Sequence, residues 1–269
     1  MAVKLEVMVL TGLFAVGCAR ETQIIAHRGA SYLAPENTVA SALLAWELGA
    51  DAVEVDIYLS QDARLMVIHD GTTGRTAGTD LSVSKSLAAE LRQLDVGSFK
   101  EAKYAGEKIP FLEEIIATVP PKKKLYVEIK CGPEVVPLLK QVMEESGKKE
   151  QMVIISFDLE AVAQAKKAMP QIPAYWVIGS RKYKQTNKIL PHDTQWPQIA
   201  KQRGLDGLDV HYAGITKEFM EAVREAHQKL YVWTVDEPAE AQRLMDLGIS
   251  GITTNRPGWL REQLQLKGE

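Results

Sequence analysis

Ala52-Val53-Glu54-Val55-Asp56-Ile57-Tyr58 alternates strictly: Val53, Val55 and Ile57 fall on one side of an extended chain, Glu54 and Asp56 on the other. A second run, Leu125-Tyr126-Val127-Glu128-Ile129-Lys130, repeats the pattern and puts Glu128 and Lys130 together on its polar side. Outward from these two runs, short apolar segments alternate with helical periodicities from Ile24 to the end, the signature of a parallel α/β fold. Strands are expected at Ile24–His27, Ala52–Tyr58, Leu125–Lys130, Met152–Ser156, Ala174–Ile178, Gly207–Val210, Leu230–Thr234 and Gly251–Thr253. Eight strands close a barrel, and 269 residues suit a single TIM-type (β/α)₈ barrel of roughly 250 residues. Helices cover the outside of such a barrel, so the apolar set faces out. The carboxylates then face the interior, near the C-terminal strand ends.

Helical segments are expected at Thr38–Leu48, Phe111–Val119, Pro133–Ser146, Leu159–Ala168, Lys217–His227 and Pro238–Leu247. Asp158 and Asp236 stand where N-terminal caps belong, and Gly49 and Gly248 where helices stop. A further strand-like run, Leu65–His69, follows its predecessor too closely for a parallel crossover, so a hairpin is expected. A turn at Gln61-Asp62 would set His69 opposite Glu54. Residues 71–110 break the rhythm; this polar stretch, with a helical piece around Leu87–Leu94, reads as a small insertion over the C-terminal mouth. Gly179–Gln198 reads as a second long surface loop.

The chain is 46% hydrophobic and 25% charged, with a net charge of −3, and has no run of five like charges. That balance excludes an electrostatic footprint for nucleic acid. Two cysteines, Cys18 and Cys131, provide neither a metal-type spacing nor a disulfide framework. Residues 1–18 resemble a bacterial lipoprotein signal: Lys4, an apolar stretch Val7–Val16, then Ala15-Val16-Gly17-Cys18 with small residues before the Cys. On that reading residues 19–269 are the mature chain, tethered through a lipidated Cys18 at the cell envelope. The alternative is a buried leading strand of a cytoplasmic protein. The stretch is too short to span a bilayer.

Carboxylates buried without partners cost several kcal/mol each, so Glu54, Asp56 and Glu128 must pair or hold a cation. Carboxylates without a His/Cys cluster favour a hard ion, Mg²⁺ or Ca²⁺. A salt-bridge network with Arg28 and Lys130 is the alternative. His27 ends the first strand and His69 the hairpin, two of only five histidines, both beside the acidic cluster. Imidazoles titrating near neutrality suit a general acid and a general base.

In order along the chain stand His27-Arg28-Gly29-Ala30, Pro35-Glu36-Asn37-Thr38, Glu54-Val55-Asp56, His69-Asp70, Arg75-Thr76 and Glu128-Ile129-Lys130. This ordered set resembles the glycerophosphodiester phosphodiesterase family, whose barrel is of the phospholipase C-like type, from about Ile24 to Pro257. The resemblance implies a TIM barrel with an insertion after the second strand. It implies metal ligation by Glu54, Asp56 and Glu128, acid–base catalysis by His27 and His69, and phosphate binding by Arg28 and Lys130. Phe157 and Trp233 resemble aromatic positions flanking the glycerol or alcohol, with core packing as the alternative for Phe157. Asn37 and Thr38 are expected to be structural, and Asp70 to orient His69. The family's ending commonly has Asp at the position of Asn255, a departure expected to touch only a local loop contact.

The activity implied is metal-dependent hydrolysis of a small-molecule glycerophosphodiester to sn-glycerol 3-phosphate and an alcohol. The nucleophile is water, or the glycerol 2-hydroxyl by way of a cyclic phosphate. A phospholipase D-like relative would need an open apolar groove, against which the polar 71–110 stretch argues. A lipid-anchored binder of glycerophosphodiesters is a reading of another class; binding alone needs no acid–base pair.

Overall fold

The computed structural model describes residues 22–266, so the expected signal segment and Cys18 lie outside the described residues. The chain runs β1 (Gln23–Ala26), α1 (Val39–Glu47), β2 (Ala52–Leu59), β3 (Leu65–Val67), α2 (Gly74–Ala77), α3 (Ala88–Leu91), α4 (Leu112–Thr118) and β4 (Lys124–Ile129). It continues through α5 (Val136–Glu145), β5 (Met152–Ser156), α6 (Leu159–Ala168), β6 (Ala174–Ile178), α7 (Trp196–Gln202) and β7 (Gly207–His211). It ends with α8 (Lys217–Glu225), β8 (Lys229–Trp233), α9 (Pro238–Asp246), β9 (Gly251–Thr254) and α10 (Pro257–Gln263). β1 pairs with both β2 and β9, and every barrel pairing is parallel, so the eight strands β1, β2 and β4–β9 close into a (β/α)₈ barrel. Each end of these eight strands lies within one residue of its expected position.

The pleat sorts the side chains. Val53, Val55, Ile57, Leu125, Val127 and Ile129 all join the large apolar cluster beneath the helices. Their alternates face inward, where Ile25, Ala52, Tyr126, Val153, Tyr175 and Tyr231 fill the lower interior. The C-terminal strand ends are left to the charged residues.

Three expectations are corrected. The β2–β3 register pairs Ile57 with Val67 and Leu59 with Leu65, one residue away from a turn at Gln61-Asp62, because Ser60–Arg64 form the turn with Ala63 at φ +56°. A continued strand would therefore point His69 away from Glu54. The strand stops at Val67 instead, and His69 turns in to line the cavity described below. Secondly, α7 begins inside the expected Gly179–Gln198 loop, and α10 was not foreseen. Each has a proline in its first turn, Pro197 and Pro257, which reads as a turn signal yet is tolerated there. Thirdly, Asp158 caps α6, but Asp236 caps nothing; Glu237 precedes α9, and the Asp236 carboxylate accepts from Thr254 and Asn255 instead.

Residues 71–110 hold α2, α3 and two 3₁₀ turns. With Met66 and Ile68 they form an apolar cluster of their own around Val83, Leu91, Val96 and Ile109. Lys100 Nζ donates to the Ser31 carbonyl (2.7 Å) and the Tyr104 hydroxyl to that of Leu33 (3.1 Å), which ties the segment to the β1–α1 loop.

Candidate active site

The β1–α1 loop makes one wall. After β1 the backbone turns through left-handed conformations at Arg28 (φ +55°) and Gly29 (φ +79°). A Cβ on Gly29 would collide with Ser41 of α1, so only glycine lets that helix approach. Ser41 Oγ and the Asn37 N–H both donate to the Arg28 carbonyl (3.0 Å each), and Thr38 with Ser41 forms a capping box at the start of α1. So braced, the strained turn aims the Arg28 N–H at Glu54 Oε2 (2.9 Å).

Asn37 also adopts a left-handed conformation (φ +58°) and is not the helix cap. Its Nδ2 donates to Asp56 Oδ2 (2.8 Å) and its Oδ1 accepts the Asp56 N–H (3.1 Å), a two-point clamp on a carboxylate 1% exposed. Arg28 Nε lies 3.4 Å from Asp56 Oδ2 and Lys130 Nζ 3.5 Å from Asp56 Oδ1, while Lys130 also donates to Glu128 (2.9 Å). Burial works against the Lys130 charge, but Glu128 and Asp56 outweigh it and hold its pKa above the ordinary lysine value.

Glu54, Asp56 and Glu128 each bring an oxygen within 4.8 Å of the others. Burial and the neighbouring carboxylates push Glu54 well above the usual carboxylate range, and the same causes lift Glu128 to about 7. A salt-bridge network accounts for only part of this cluster. Arg28 and Lys130 pair with Asp56, Glu36 and Glu128, whereas Glu54 Oε1 is buried with no hydrogen-bond partner among the described residues. An all-oxygen set with an unpaired buried acceptor and uncompensated repulsion fits a hard divalent cation.

The histidines are held differently. His27 Nδ1 lies 2.7 Å from Asn255 Oδ1, which also accepts from Ser31 Oγ (3.2 Å). Asn255 Nδ2 donates to Asp236 Oδ2 (2.7 Å), so the amide oxygen must face the histidine. His27 therefore donates through Nδ1–H and keeps the lone pair on Nε2. Burial and the Arg28 charge depress its pKa to about 4, against Asn255, Asp56 and Glu36. His69 Nδ1 instead meets a carboxylate, Asp70 Oδ1 (2.8 Å). Arg75 Nε binds Asp70 (2.6 Å), Arg75 binds Glu36 through both terminal nitrogens (2.9 and 2.7 Å), and Glu36 accepts from Arg28 (2.9 Å). Although burial acts to raise them, Arg75 with Arg28 keeps Glu36, and Arg75 with the His69 hydrogen bond keeps Asp70, below the usual carboxylate range.

His27, Arg28, Glu54, His69, Glu128, Lys130, Phe157 and Trp233 line one cavity of about 390 Å³. Asp56, the remaining expected site residue, belongs to the same carboxylate cluster. Phe157 is 45% exposed, not core, and meets Trp233 edge-on at 5.5 Å. Sequence reasoning missed three participants. Asn255, expected to matter only to a loop, touches His27 from 228 positions away, and Asp236 stands behind it; no local pattern announces such contacts. Asp209 also lines the cavity, and the alternation Leu208-Asp209-Val210 is the signal that would have found it. His192, taken for a loop residue, is buried and binds the His211 carbonyl (2.7 Å) as a strut.

The profile of the glycerophosphoryl diester phosphodiesterase family matches residues 27–259, which takes in every element of this cavity. The chain belongs to that family. A glycerophosphodiester phosphodiesterase of Caldanaerobacter subterraneus is 33% identical over 88% of this chain and 95% of its own. A phosphodiesterase of Oleispira antarctica, solved with its product sn-glycerol 3-phosphate, is 28% identical with a TM-score of 0.82, over 90% of this chain and 96% of that one. A glycerophosphodiester phosphodiesterase of Thermotoga maritima is 25% identical with a TM-score of 0.71, over 92% and 99%. The family's reaction, hydrolysis of glycerophosphodiesters to glycerol 3-phosphate and an alcohol, is this chain's activity.

Proposed function

We propose that His27 is the general base and His69 the general acid of this hydrolysis, around a phosphate held by Arg28 and Lys130. A divalent cation, Mg²⁺ or Ca²⁺, bound by Glu54, Asp56 and Glu128 would act as a Lewis acid, withdrawing charge from a phosphate oxygen. Arg28 and Lys130 face the non-bridging oxygens and offset charge that builds in the transition state. His27 Nε2 takes the proton of the attacking hydroxyl, water or the glycerol 2-hydroxyl, as its oxygen bonds to phosphorus. The bond from phosphorus to the leaving alcohol breaks with its electron pair going to oxygen, and His69 supplies the proton. Asp70 accepts from His69 Nδ1 and fixes that ring, while burial and the Arg28 charge keep His27 uncharged and Asn255 leaves its Nε2 lone pair available. Phe157 and Trp233 pack against the apolar faces of the substrate's glycerol or alcohol.

The observation that carries the assignment is the unequal backing of two histidines that share one cavity, an amide behind one and a carboxylate behind the other. A coupled assay for glycerol 3-phosphate tests it. Activity should require Mg²⁺ or Ca²⁺, vanish with chelator, and fall in both His27→Ala and His69→Ala. An alcohol with a very low pKa as leaving group should rescue His69→Ala but not His27→Ala; rescue of His27→Ala would reverse the roles.

The lipoprotein-type pattern of residues 1–18 further supports a lipid tether at Cys18 and a place in the cell envelope. Fatty-acid labelling of the native chain that persists in Cys18→Ser would refute it.

A further inference from the structure

The wall of the cavity opposite the carboxylate cluster holds a carboxyl that none of these steps uses. Asp209 sits on β7 between Leu208 and Val210, both part of the outer apolar cluster, so its own side chain points into the barrel. It is 3% exposed, and its Oδ1 has no hydrogen-bond partner among the described residues. Its register neighbours are Val177 on β6 and Tyr231 on β8, neither of which brings a cation. Burial and the like charge of Glu128 push its pKa up to about 8. Leaving a buried polar group unpaired is costly, a cost that an apolar residue such as neighbouring Val177 would avoid. An orphan of this kind in the wall of an active-site cavity marks a place where a ligand supplies the missing partner.

We infer that Asp209 binds a hydroxyl of the substrate's glycerol moiety and is a specificity-determining residue of this enzyme. The inference rests on the glycerophosphodiester reading above. A hydroxyl satisfies Oδ1 in either protonation state, because it donates to a carboxylate and accepts from a carboxylic acid. The phosphate is the wrong partner: it is an anion, and Arg28 and Lys130 lie with the carboxylate cluster. A quaternary ammonium head group has no N–H with which to answer an unpaired oxygen. Glycerol is the portion that every glycerophosphodiester shares, and a cavity built to hydrogen-bond a substrate hydroxyl discriminates against analogues lacking it.

The test uses the metal-loaded full chain, with Asp209→Leu and Asp209→Asn assayed on glycerophosphoglycerol, glycerophosphoethanolamine, glycerophosphocholine and bis(4-nitrophenyl) phosphate, which has no aliphatic hydroxyl. Asp209→Leu should raise KM for all three glycerol diesters by about tenfold or more, the effect of one lost hydrogen bond to a buried partner. Its kcat/KM on bis(4-nitrophenyl) phosphate should stay near the parent value, and Asp209→Asn, which keeps an acceptor, should lie between. Without substrate, Asp209→Leu should melt at a higher temperature than the parent. An equal loss on bis(4-nitrophenyl) phosphate, a loss confined to ethanolamine and choline diesters, or a lower melting temperature would each overturn the inference. Failure of the parent protein itself to cleave any glycerophosphodiester would instead strike the functional reading beneath it.

Discussion

In the lower barrel interior, Tyr126, Tyr175 and Tyr231 pack ring against ring, with centroids 4.7–6.4 Å apart, and the Tyr126 hydroxyl donates to Gln23 (3.0 Å). Two residues further along strands of the same barrel, the inward positions are Glu54 after Ala52, Glu128 after Tyr126 and Asp209 after Gly207. Pleat and direction are the same in both layers, but the balance of forces is opposite. The lower layer is filled and satisfied. The upper layer leaves Glu54 and Asp209 with unpartnered buried oxygens and crowds like charges together. A barrel needs only the first kind of layer to stand, so the second is explained by what it binds.

The largest effect should come from removing one of the two histidines proposed as the acid–base pair. His27→Ala and His69→Ala should each lower kcat by about 10²–10⁴-fold at neutral pH without altering the melting curve by more than a few degrees. Next, Tyr175→Ala in the lower layer should cost about 3–5 kcal/mol in a denaturant titration, whereas Glu128→Gln in the upper layer should stabilise the metal-free protein. The size of the latter depends on pH. The folded-state pKa of Glu128, about 7, lies above its ordinary 4.5, so the folded state holds the extra proton between those values. The parent therefore loses stability from Glu128 as pH rises from 4.5 to about 7. The advantage of Glu128→Gln should grow across that window and level off above it. Saturating divalent cation should reverse the order.

Asn255→Asp sharpens the contrast between the two histidines. A carboxylate beside Nδ1 should raise the His27 pKa, moving the acid limb of kcat/KM upward in pH while leaving the basic limb in place. An unmoved acid limb would mean that His27 is not the group titrating there. Arg28, Asp56 and Glu36 also act on that ring, so Asp56→Asn should move the same limb the other way. The smallest effect belongs to the exposed rim: Phe157→Ala should raise KM about two- to tenfold with kcat little changed.

The barrel was legible from the succession of apolar runs and helical segments, and the carboxylate cluster from local alternation. Val53-Glu54-Val55-Asp56-Ile57 states its own two faces, and eight short apolar runs separated by helical segments leave one closed topology. The hairpin register was not legible, because a left-handed Ala63 widens the turn by a residue and no sequence pattern marks it. The partners of His27 were hidden for another reason. Asn255, itself held by Asp236, reaches it only because the barrel closes β9 against β1, a contact set by topology and not by spacing. Asp209 lay within reach of the same alternation argument that found Glu54, but its strand is short and lacks a flanking motif.

Diffraction from crystals soaked with Mn²⁺ and glycerol 3-phosphate, recorded at the manganese edge, tests the central claim most directly. The account predicts one strong anomalous peak bonded to oxygens of Glu54, Asp56 and Glu128, with the phosphate on its open side between His27 and His69. A peak elsewhere, or an enzyme that remains fully active in chelator with no metal at that cluster, would contradict it.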